Sequence, residues 1–220
     1  METVIEAVLW DNDGILVDTE SLFFEVTRQA FASEGADLSR ERWIRSYLGE
    51  GTGSREIARS LGIPDGRARR MLEARNETYR RRLAQGVPVR SGVREALSAL
   101  RERVRLAVVT SSPRDQIDII HRRTGLLEFF ECVVTSDDCD RIKPAPDPYL
   151  TAIGLLGLPP ERCLAVEDSA RGVASAAAAG IRCVLVPHDL TAPEAAAGAY
   201  RVEPEIGGVV GLVGDLLAAR

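Results

Sequence analysis

The strongest constraint on the fold of this chain is a series of short apolar segments that alternate with helix-like segments. Five segments have the length and composition of strands, at residues 4–10, 106–109, 132–135, 163–166 and 182–186. Their lack of polar alternation is typical of strands that are buried on both faces. Helical segments lie between most of them, at residues 93–102, 115–124, 148–156 and 170–179. Strand and helix in repeated alternation predict an α/β fold with a parallel sheet and helices on both faces.

One long stretch interrupts this alternation. Between residues 19 and 86 no segment resembles a strand, and glycines separate four helical patterns, at 22–33, 40–47, 55–61 and 67–83. We interpret residues 17–87 as a helical domain inserted after the first strand, and residues 1–16 and 88–220 as the core domain. The segments 16–19 and 85–89 are the expected hinges. The alanine-rich stretch 192–199 is expected to form a loop or a short helix.

Polar residues follow four of the apolar segments directly. They are Asp11, Asp13 and Gly14 after the first; Thr110, Ser111 and Ser112 after the second; Asp137, Asp138, Asp140 and Lys143 after the third; and Glu167 and Asp168 after the fourth. Ligands of open parallel sheets bind beyond the carboxyl ends of the strands, so these side chains are expected to converge there.

Each cluster also has a purely structural explanation. The Asp and Gly residues at 11–14 suit a turn, and Ser112 before Pro113 suits a helix cap. Lys143 suits a solvated loop, and residues 167–169 suit the start of the helix at 170. Taken singly, the structural explanation is the better one for Lys143 and the hydroxyls. Because all four clusters fall at one end of the sheet, we favour a functional site.

The residue types indicate phosphoryl chemistry at this site. Asp11, Asp13 and Asp168 supply the carboxylates that Mg²⁺ prefers alongside water and phosphate. A carboxylate is also a nucleophile toward phosphorus, and a second one two residues later can act as acid and base. Thr110 and Lys143 would bind the phosphoryl oxygens.

Composition excludes several other classes of function. The net charge is −5 and no basic tract is present, so nucleic acid is not an expected partner. The arginines of 67–82 are mixed with glutamates, as on a solvated helix face. The four cysteines form no CxxC pair and only two histidines are present, which disfavours structural zinc. The first ten residues do not resemble a signal peptide, and no segment is apolar enough to span a membrane. We expect a cytoplasmic monomer.

The four clusters together resemble the ordered motifs of the haloacid dehalogenase superfamily. The motifs are Asp11-Asn12-Asp13-Gly14, Thr110-Ser111-Ser112, Lys143-Pro144-Ala145-Pro146-Asp147 and Glu167-Asp168-Ser169-Ala170-Arg171-Gly172. The resemblance covers nearly the whole chain and is closest to the phosphatase and β-phosphoglucomutase-like branch. It implies a Rossmann-like core with an inserted α-helical cap domain. The implied activity is Mg²⁺-dependent hydrolysis of a small phosphorylated metabolite, such as a sugar phosphate, through an aspartyl-phosphate.

The same resemblance implies a role for each motif residue. Asp11 would be the nucleophile and Asp13 the general acid and base. Metal ligands would be Asp11, the backbone carbonyl of Asp13, and Asp168 with Glu167 beside it. The phosphoryl group would be bound by Thr110, Lys143 and the backbone amides of Asn12 and Ser111. Arg55 of the cap and Ser112 of the rim are candidate substrate contacts.

Two departures from the family pattern bear on the reaction. Ile15 stands where many relatives have Thr, which removes a supporting hydroxyl. Phe23 stands where the sugar-phosphate mutases carry a cap histidine, which favours hydrolysis.

Three alternatives to the phosphatase remain open. A phosphomutase would share all the catalytic groups. A metal-free dehalogenase would lack the second carboxylate that Asp13 provides. A non-catalytic regulator on the same scaffold would be expected to have lost Asp11, Asp13, Lys143 or Asp168, and all four are present.

Overall fold

The computed structural model describes residues 4–218, and its core is a six-stranded parallel sheet. The strands are β1 (Ala7–Trp10), β2 (Arg105–Val109), β3 (Cys132–Val134), β4 (Cys163–Glu167), β5 (Arg182–Leu185) and β6 (Arg201–Val202). The five predicted strands and the α/β class are confirmed. The sixth strand was not predicted, because two exposed residues carry no pattern of apolar burial.

Nine α-helices are present among the described residues. They are α1 (Glu20–Ser33), α2 (Arg40–Arg42), α3 (Ser54–Ser60), α4 (Asp65–Ala84), α5 (Val93–Leu100), α6 (Arg114–Thr124), α7 (Asp147–Leu156), α8 (Ala170–Ala178) and α9 (Ile206–Ala218). The last helix was not predicted from the sequence. A helix that spans a membrane is absent from this part of the chain.

The strand order β3-β2-β1-β4-β5-β6 places β1 at the centre of the sheet. All four residues of β1 are buried, because alternate side chains enter separate cores on the two faces. Val8 and Trp10 pack into one core and Ala7 and Leu9 into the other. The chain runs to one side of β1 first and to the other side afterwards. This reversal leaves a crevice beyond the carboxyl ends of β1 and β4, where ligands of such sheets bind.

The chain enters and leaves the inserted helices through two adjacent segments. The amide of Asp18 donates to the carbonyl of Pro88 at 3.0 Å, and that of Arg90 donates to Leu16 at 3.1 Å. The expected hinges at 16–19 and 85–89 therefore lie side by side. The division into a cap at 17–87 and a core at 1–16 and 88–220 stays a prediction, and the core ranges extend beyond the described residues at both ends.

The second predicted cap helix, at 40–47, is helical in the structure but is mostly a π-helix. The α-helical part ends at Arg42, and Trp43–Gly49 forms a π-helix. The amide of Glu50 donates to the carbonyl of Arg45, five residues earlier, which is the hydrogen bond of a π-helix. The wider turn lets Trp43 enter the cap core while Tyr47 faces the crevice. The alanine-rich stretch contains one short 3₁₀ helix, Pro193–Ala196.

Candidate active site

The carboxyl ends of β1, β2 and β4 and the loop after β3 meet at one cavity of about 220 Å³. Six residues from these segments form what we call the catalytic rim: Asp11, Asp13, Thr110, Lys143, Glu167 and Asp168. Side chains of the inserted helices form the opposite side, which we call the cap wall: Glu20, Phe23, Tyr47, Leu48, Asn76 and Tyr79. Glu167 lies behind the cavity surface, and the other eleven residues line it directly.

Lys143 is the centre of the catalytic rim. Its ammonium donates to Asp11 Oδ1 at 2.7 Å, to Glu167 Oε1 at 2.6 Å and to the carbonyl of Val109 at 2.7 Å. Tyr149 donates to the same Glu167 oxygen at 2.7 Å. Three donors thus meet three acceptors, and the side chain is only 5% exposed. The interpretation of Lys143 as a solvated loop lysine is wrong.

One signal in the composition would have singled out Lys143. It is the only lysine of the chain, beside 27 arginines. A compact ammonium fits three convergent acceptors, whereas a planar guanidinium is suited to forked carboxylate or phosphate contacts. The three convergent acceptors therefore explain why this position has a lysine in a chain otherwise rich in arginine.

Burial dominates the electrostatics of the rim. It raises the pKa of Asp11 well above its usual value, and the Lys143 ammonium opposes this effect. Burial likewise raises the pKa of Glu167, and the charge of Lys143 again acts to lower it. Burial alone would lower the pKa of Lys143, but the two carboxylates outweigh it and raise that pKa. Lys143 is therefore held as a cation, and the clustered carboxylates favour additional positive charge nearby.

Three hydroxyl groups surround the carboxylate of Asp13. Thr19 donates to Oδ1 at 2.5 Å, and Ser112 and Thr110 donate to Oδ2 at 2.7 and 3.2 Å. Ser112 does not cap the following helix, because the carboxylate of Asp137 accepts from the first helical amide, that of Arg114. Asp13 is thereby held at the cavity, two residues after Asp11.

Asp11, Glu167 and Asp168 form a buried group of carboxylates. One oxygen from each lies within 4.8 Å of the others. Hard oxygen ligands in such a cluster fit Mg²⁺, which takes few protein carboxylates and completes its shell with water and phosphate. The side chain of Asp13 is not in this group among the described residues. The backbone carbonyl predicted for Asp13 remains the candidate ligand from that residue.

Two glycines of the motifs are required by the closeness of these carboxylates. Gly14 has a φ of +78°, and a Cβ there would lie 2.0 Å from Asp168 Oδ2. A Cβ at Gly172 would lie 1.8 Å from Glu167 Oε2. Ser169 caps α8 by accepting from the amide of Gly172 at 3.1 Å, so the structural role foreseen for it is present.

His188, in the loop after β5, was missed from the sequence. Its Nε2 lies 2.7 Å from Asp168 Oδ2, and its Nδ1 accepts from the amide of Leu190 at 3.1 Å. Because Nδ1 accepts, the proton is on Nε2, which donates to Asp168. Leu190 packs into the core of the cap. The loop thus joins a rim carboxylate to the cap, and no motif in the sequence announced this contact.

Asn12 and Ser111 lie beside the rim. The side chain of Asn12 is buried, and its Oδ1 lies 2.7 Å from Nε2 of His121. Burial lowers the pKa of His121 to about 4, so the imidazole is neutral and donates to Asn12. Ser111 lines the cavity, and its buried Oγ has no hydrogen-bond partner among the described residues.

Arg55 is the predicted site residue that the structure does not bring to the cavity. Its side chain is half exposed and lies 3.5 Å from Asp65 on the surface of the cap. The acidic loop after β3 does not supply a carboxylate to the cavity lining. Its Asp138 accepts hydrogen bonds from Thr135 and forms an ion pair with Arg114. Both outcomes follow from local surface ion pairs, which sequence spacing does not reveal.

Comparisons with known proteins bear on the family and the fold of this chain. The family model described as haloacid dehalogenase-like hydrolase matches residues 8–186. Protein CbbY of Rhodobacter capsulatus is 35% identical over 199 residues, which cover 85% of this chain and 87% of the relative. The phosphorylated carbohydrates phosphatase of Thermotoga maritima is 34% identical over 190 residues, covering 84% and 87%.

A solved structure shows the same fold. It is that of CbbY from Rhodobacter sphaeroides in complex with xylulose-(1,5)bisphosphate, with a TM-score of 0.77 and 31% identity. The match covers 93% of this chain and 96% of that one. The family inferred from the four motifs is confirmed. This chain belongs to the haloacid dehalogenase-like hydrolases.

Proposed function

We propose that this protein is a phosphatase that hydrolyses a small phosphorylated metabolite through a phosphoaspartate on Asp11, with Mg²⁺ as cofactor. The observation that carries the proposal is the buried arrangement of Asp11, Lys143, Glu167 and Asp168 at one cavity. Two relatives support the substrate class, since one is named for phosphorylated carbohydrates and the other binds a sugar bisphosphate. A cavity of about 220 Å³ suits a small ester.

In the first half-reaction Asp11 attacks the phosphorus of the ester. Lys143 holds one carboxylate oxygen of Asp11 at 2.7 Å, which restricts rotation and orients the attacking group. The bond from phosphorus to the ester oxygen breaks as the bond to the Asp11 oxygen forms. Protonated Asp13 gives its proton to the departing oxygen, so the leaving group is released as an alcohol.

In the second half-reaction Asp13 acts as the base. It takes a proton from water, the resulting hydroxide attacks phosphorus, and the bond to Asp11 breaks to release inorganic phosphate. The hydroxyls of Thr19, Thr110 and Ser112 keep the Asp13 carboxylate in one position through both steps. Thr110, Ser111 and the backbone amide of Asn12 are candidate donors to the phosphoryl oxygens.

Asp11, Asp168, Glu167 and the carbonyl of Asp13 would hold the metal ion. When bound, Mg²⁺ neutralises charge on the phosphoryl oxygens and offsets the repulsion among the carboxylates. The three carboxylates of Asp11, Glu167 and Asp168 are buried. Among the described residues, Lys143 is the only lysine or arginine that pairs with them.

Water rather than a second hydroxyl is the proposed acceptor. Phe23 occupies the mutase histidine position, and its ring packs between Trp43, Tyr47 and Tyr79, with the Arg75 guanidinium 4.5 Å above it. The two histidines of the chain, His121 and His188, both lie outside the inserted helices. An imidazole that could activate a sugar hydroxyl from the cap is therefore absent.

The variant Asp11→Asn tests this proposal. It keeps the shape of the side chain but removes the nucleophile, so hydrolysis of a phosphomonoester should fall by about 10⁴-fold. Circular dichroism checks the fold, and Asp140→Asn in the exposed loop is the matched control. Mass spectrometry of the quenched wild-type enzyme should show one added phosphoryl group, absent from the variant. Activity retained in Asp11→Asn would refute the nucleophile.

A further inference from the structure

Two oppositely charged side chains that line the cavity are not used by the proposed chemistry. Glu20 begins α1 on the cap wall, and Arg171 is the second residue of α8 in the core. Both line the cavity. Because the catalytic rim is assigned to the phosphoryl group, these two residues are candidates to contact the group attached to the phosphate.

Arg171 is held in place by the cap. Its guanidinium carbon lies 5.6 Å from the centre of the Tyr47 ring, and Trp43 stacks on the same ring at 3.9 Å. An added Cβ at Gly51 of the cap would contact its Cδ at 3.5 Å. The Nε atom of Arg171 is nevertheless buried without a hydrogen-bond partner among the described residues. The side chain thus packs against the cap and retains an unused donor.

Glu20 offers an unused acceptor where Arg171 offers an unused donor. Its Oε2 is shielded from solvent and likewise has no hydrogen-bond partner in the described part of the chain. Burial and then the carboxylates of Asp168 and Asp13 raise the pKa of Glu20 to about 8, while Arg171 opposes them. A buried polar atom without a partner costs free energy, so a group held in this way is expected to serve a ligand.

We propose that Glu20 and Arg171 form a subsite that binds the hydroxyl groups of a polyol or sugar attached to the phosphate. This inference rests on the proposed phosphatase function and names its substrate class. A carboxylate and a guanidinium offer an acceptor and a donor together, and neighbouring hydroxyls supply both complements. Tyr47, Phe23 and Leu48 give the adjacent apolar surface for the carbon chain.

A second anionic group is a poorer occupant of this subsite. Arg171 offers one positive charge, but the carboxyl groups of Glu20, Asp13 and Asp168 line the same cavity and the last two interact electrostatically with Glu20. A second phosphate would bring further negative charge against three carboxyl groups. Hydroxyls carry no charge and form hydrogen bonds to both members of the pair.

The test compares two phosphate esters that differ only in hydroxyl groups, sorbitol 6-phosphate and hexyl phosphate. The wild type should favour the polyol ester in kcat/KM. Glu20→Gln and Arg171→Ala should each lose about tenfold or more on sorbitol 6-phosphate and stay within about twofold on hexyl phosphate. Arg182→Ala is the matched control, because Arg182 also packs on a tyrosine, Tyr200 at 5.1 Å, far from the cavity.

Each other outcome has a defined meaning. Equal losses on both esters, or no loss on either, would overturn the subsite while leaving the phosphatase intact. A wild type that prefers hexyl phosphate would overturn it as well. The wild type could instead prefer fructose 1,6-bisphosphate to sorbitol 6-phosphate, and Arg171→Ala could abolish only that preference. The subsite would then bind an anionic group, and the inference would be wrong. Absence of hydrolysis on every ester would reject the proposed function and the subsite with it.

Discussion

The catalytic rim and the cap wall face each other across one cavity but satisfy their polar groups differently. In the rim, Lys143 uses all three of its donors on partners inside the protein, and Asp13 accepts from three hydroxyls. On the cap wall, aromatic rings pack against one another, and the Oε2 atom of Glu20 has no partner among the described residues.

The difference indicates a division of tasks. The rim is preorganised, as required for a phosphoryl group that is common to all substrates of this chemistry. The wall keeps a polar atom free, as expected where the variable part of a substrate is recognised. Variants of the two regions should therefore have opposite effects on stability. Loss of the Lys143 cation from the rim should lower stability as well as activity, whereas removal of the Glu20 charge from the cap wall should increase stability.

Lys143→Ala should have the largest effect on stability. It leaves the buried carboxylates of Asp11 and Glu167 without a cation, which is expected to cost about 3–5 kcal/mol in the free energy of unfolding. Urea denaturation at neutral pH measures this, and a phosphatase assay should show activity lost in parallel. Lys143→Arg should not restore either property, since three convergent acceptors do not fit a planar guanidinium. A loss below about 1 kcal/mol would contradict the preorganised rim.

His121 supports the rim from behind and should make stability depend on pH. Burial lowers its pKa from the ordinary value of 6.5 to about 4 in the folded protein. The unfolded chain therefore binds more protons between these values, and the neutral imidazole's contribution is lost as pH falls from 6.5 to 4. Relative to His121→Gln, the wild type should lose about 3 kcal/mol over this range. If stability depended on pH equally in the wild type and in His121→Gln, the lowered pKa of His121 would be rejected as the cause.

His188→Ala should weaken Mg²⁺ binding with a smaller effect on folding. Nε2 of His188 orients Asp168 at 2.7 Å, and loss of such a supporting hydrogen bond typically lowers metal affinity about 10–100-fold. Calorimetric titration with Mg²⁺ measures the affinity without a substrate. Asp189→Ala is the control, because that neighbouring side chain is exposed. An affinity equal to that of the wild type would show that Asp168 is oriented by the backbone alone.

Glu20→Gln should change stability with the opposite sign. Because the pKa of Glu20 is raised from 4.5 to about 8, the unfolded chain ionises this carboxyl before the folded protein does, and stability falls as pH rises from 4.5 to 8. The metal-free variant should therefore be more stable than the wild type at pH 8 and equal to it near pH 4. Thermal unfolding at the two pH values measures the gain. Glu25→Gln, on the outer face of the same helix and 46% exposed, is the control. Destabilisation at pH 8 would give Glu20 a structural role instead.

Much of the rim was predictable because its residues follow buried strands in order. Asp11, Thr110 and Asp168 lie where the parallel-sheet rule places them, at strand ends that share one edge. The strands were recognisable because apolar burial on both faces leaves a continuous hydrophobic segment in the sequence. The short β6 and the π-helix were not, since neither has a distinct periodicity of its own.

The sequence alone determined the family, the sheet and the order of the motif residues, because these depend on local patterns of burial and on spacing along the chain. Only the tertiary structure decided which side chains meet across long separations. Arg55 forms a surface ion pair, His188 contacts Asp168, and Arg171 packs on the ring of Tyr47 at the cavity that Glu20 also lines. Such contacts depend on how the inserted helices pack on the core, and that packing leaves no periodic pattern in the amino-acid sequence.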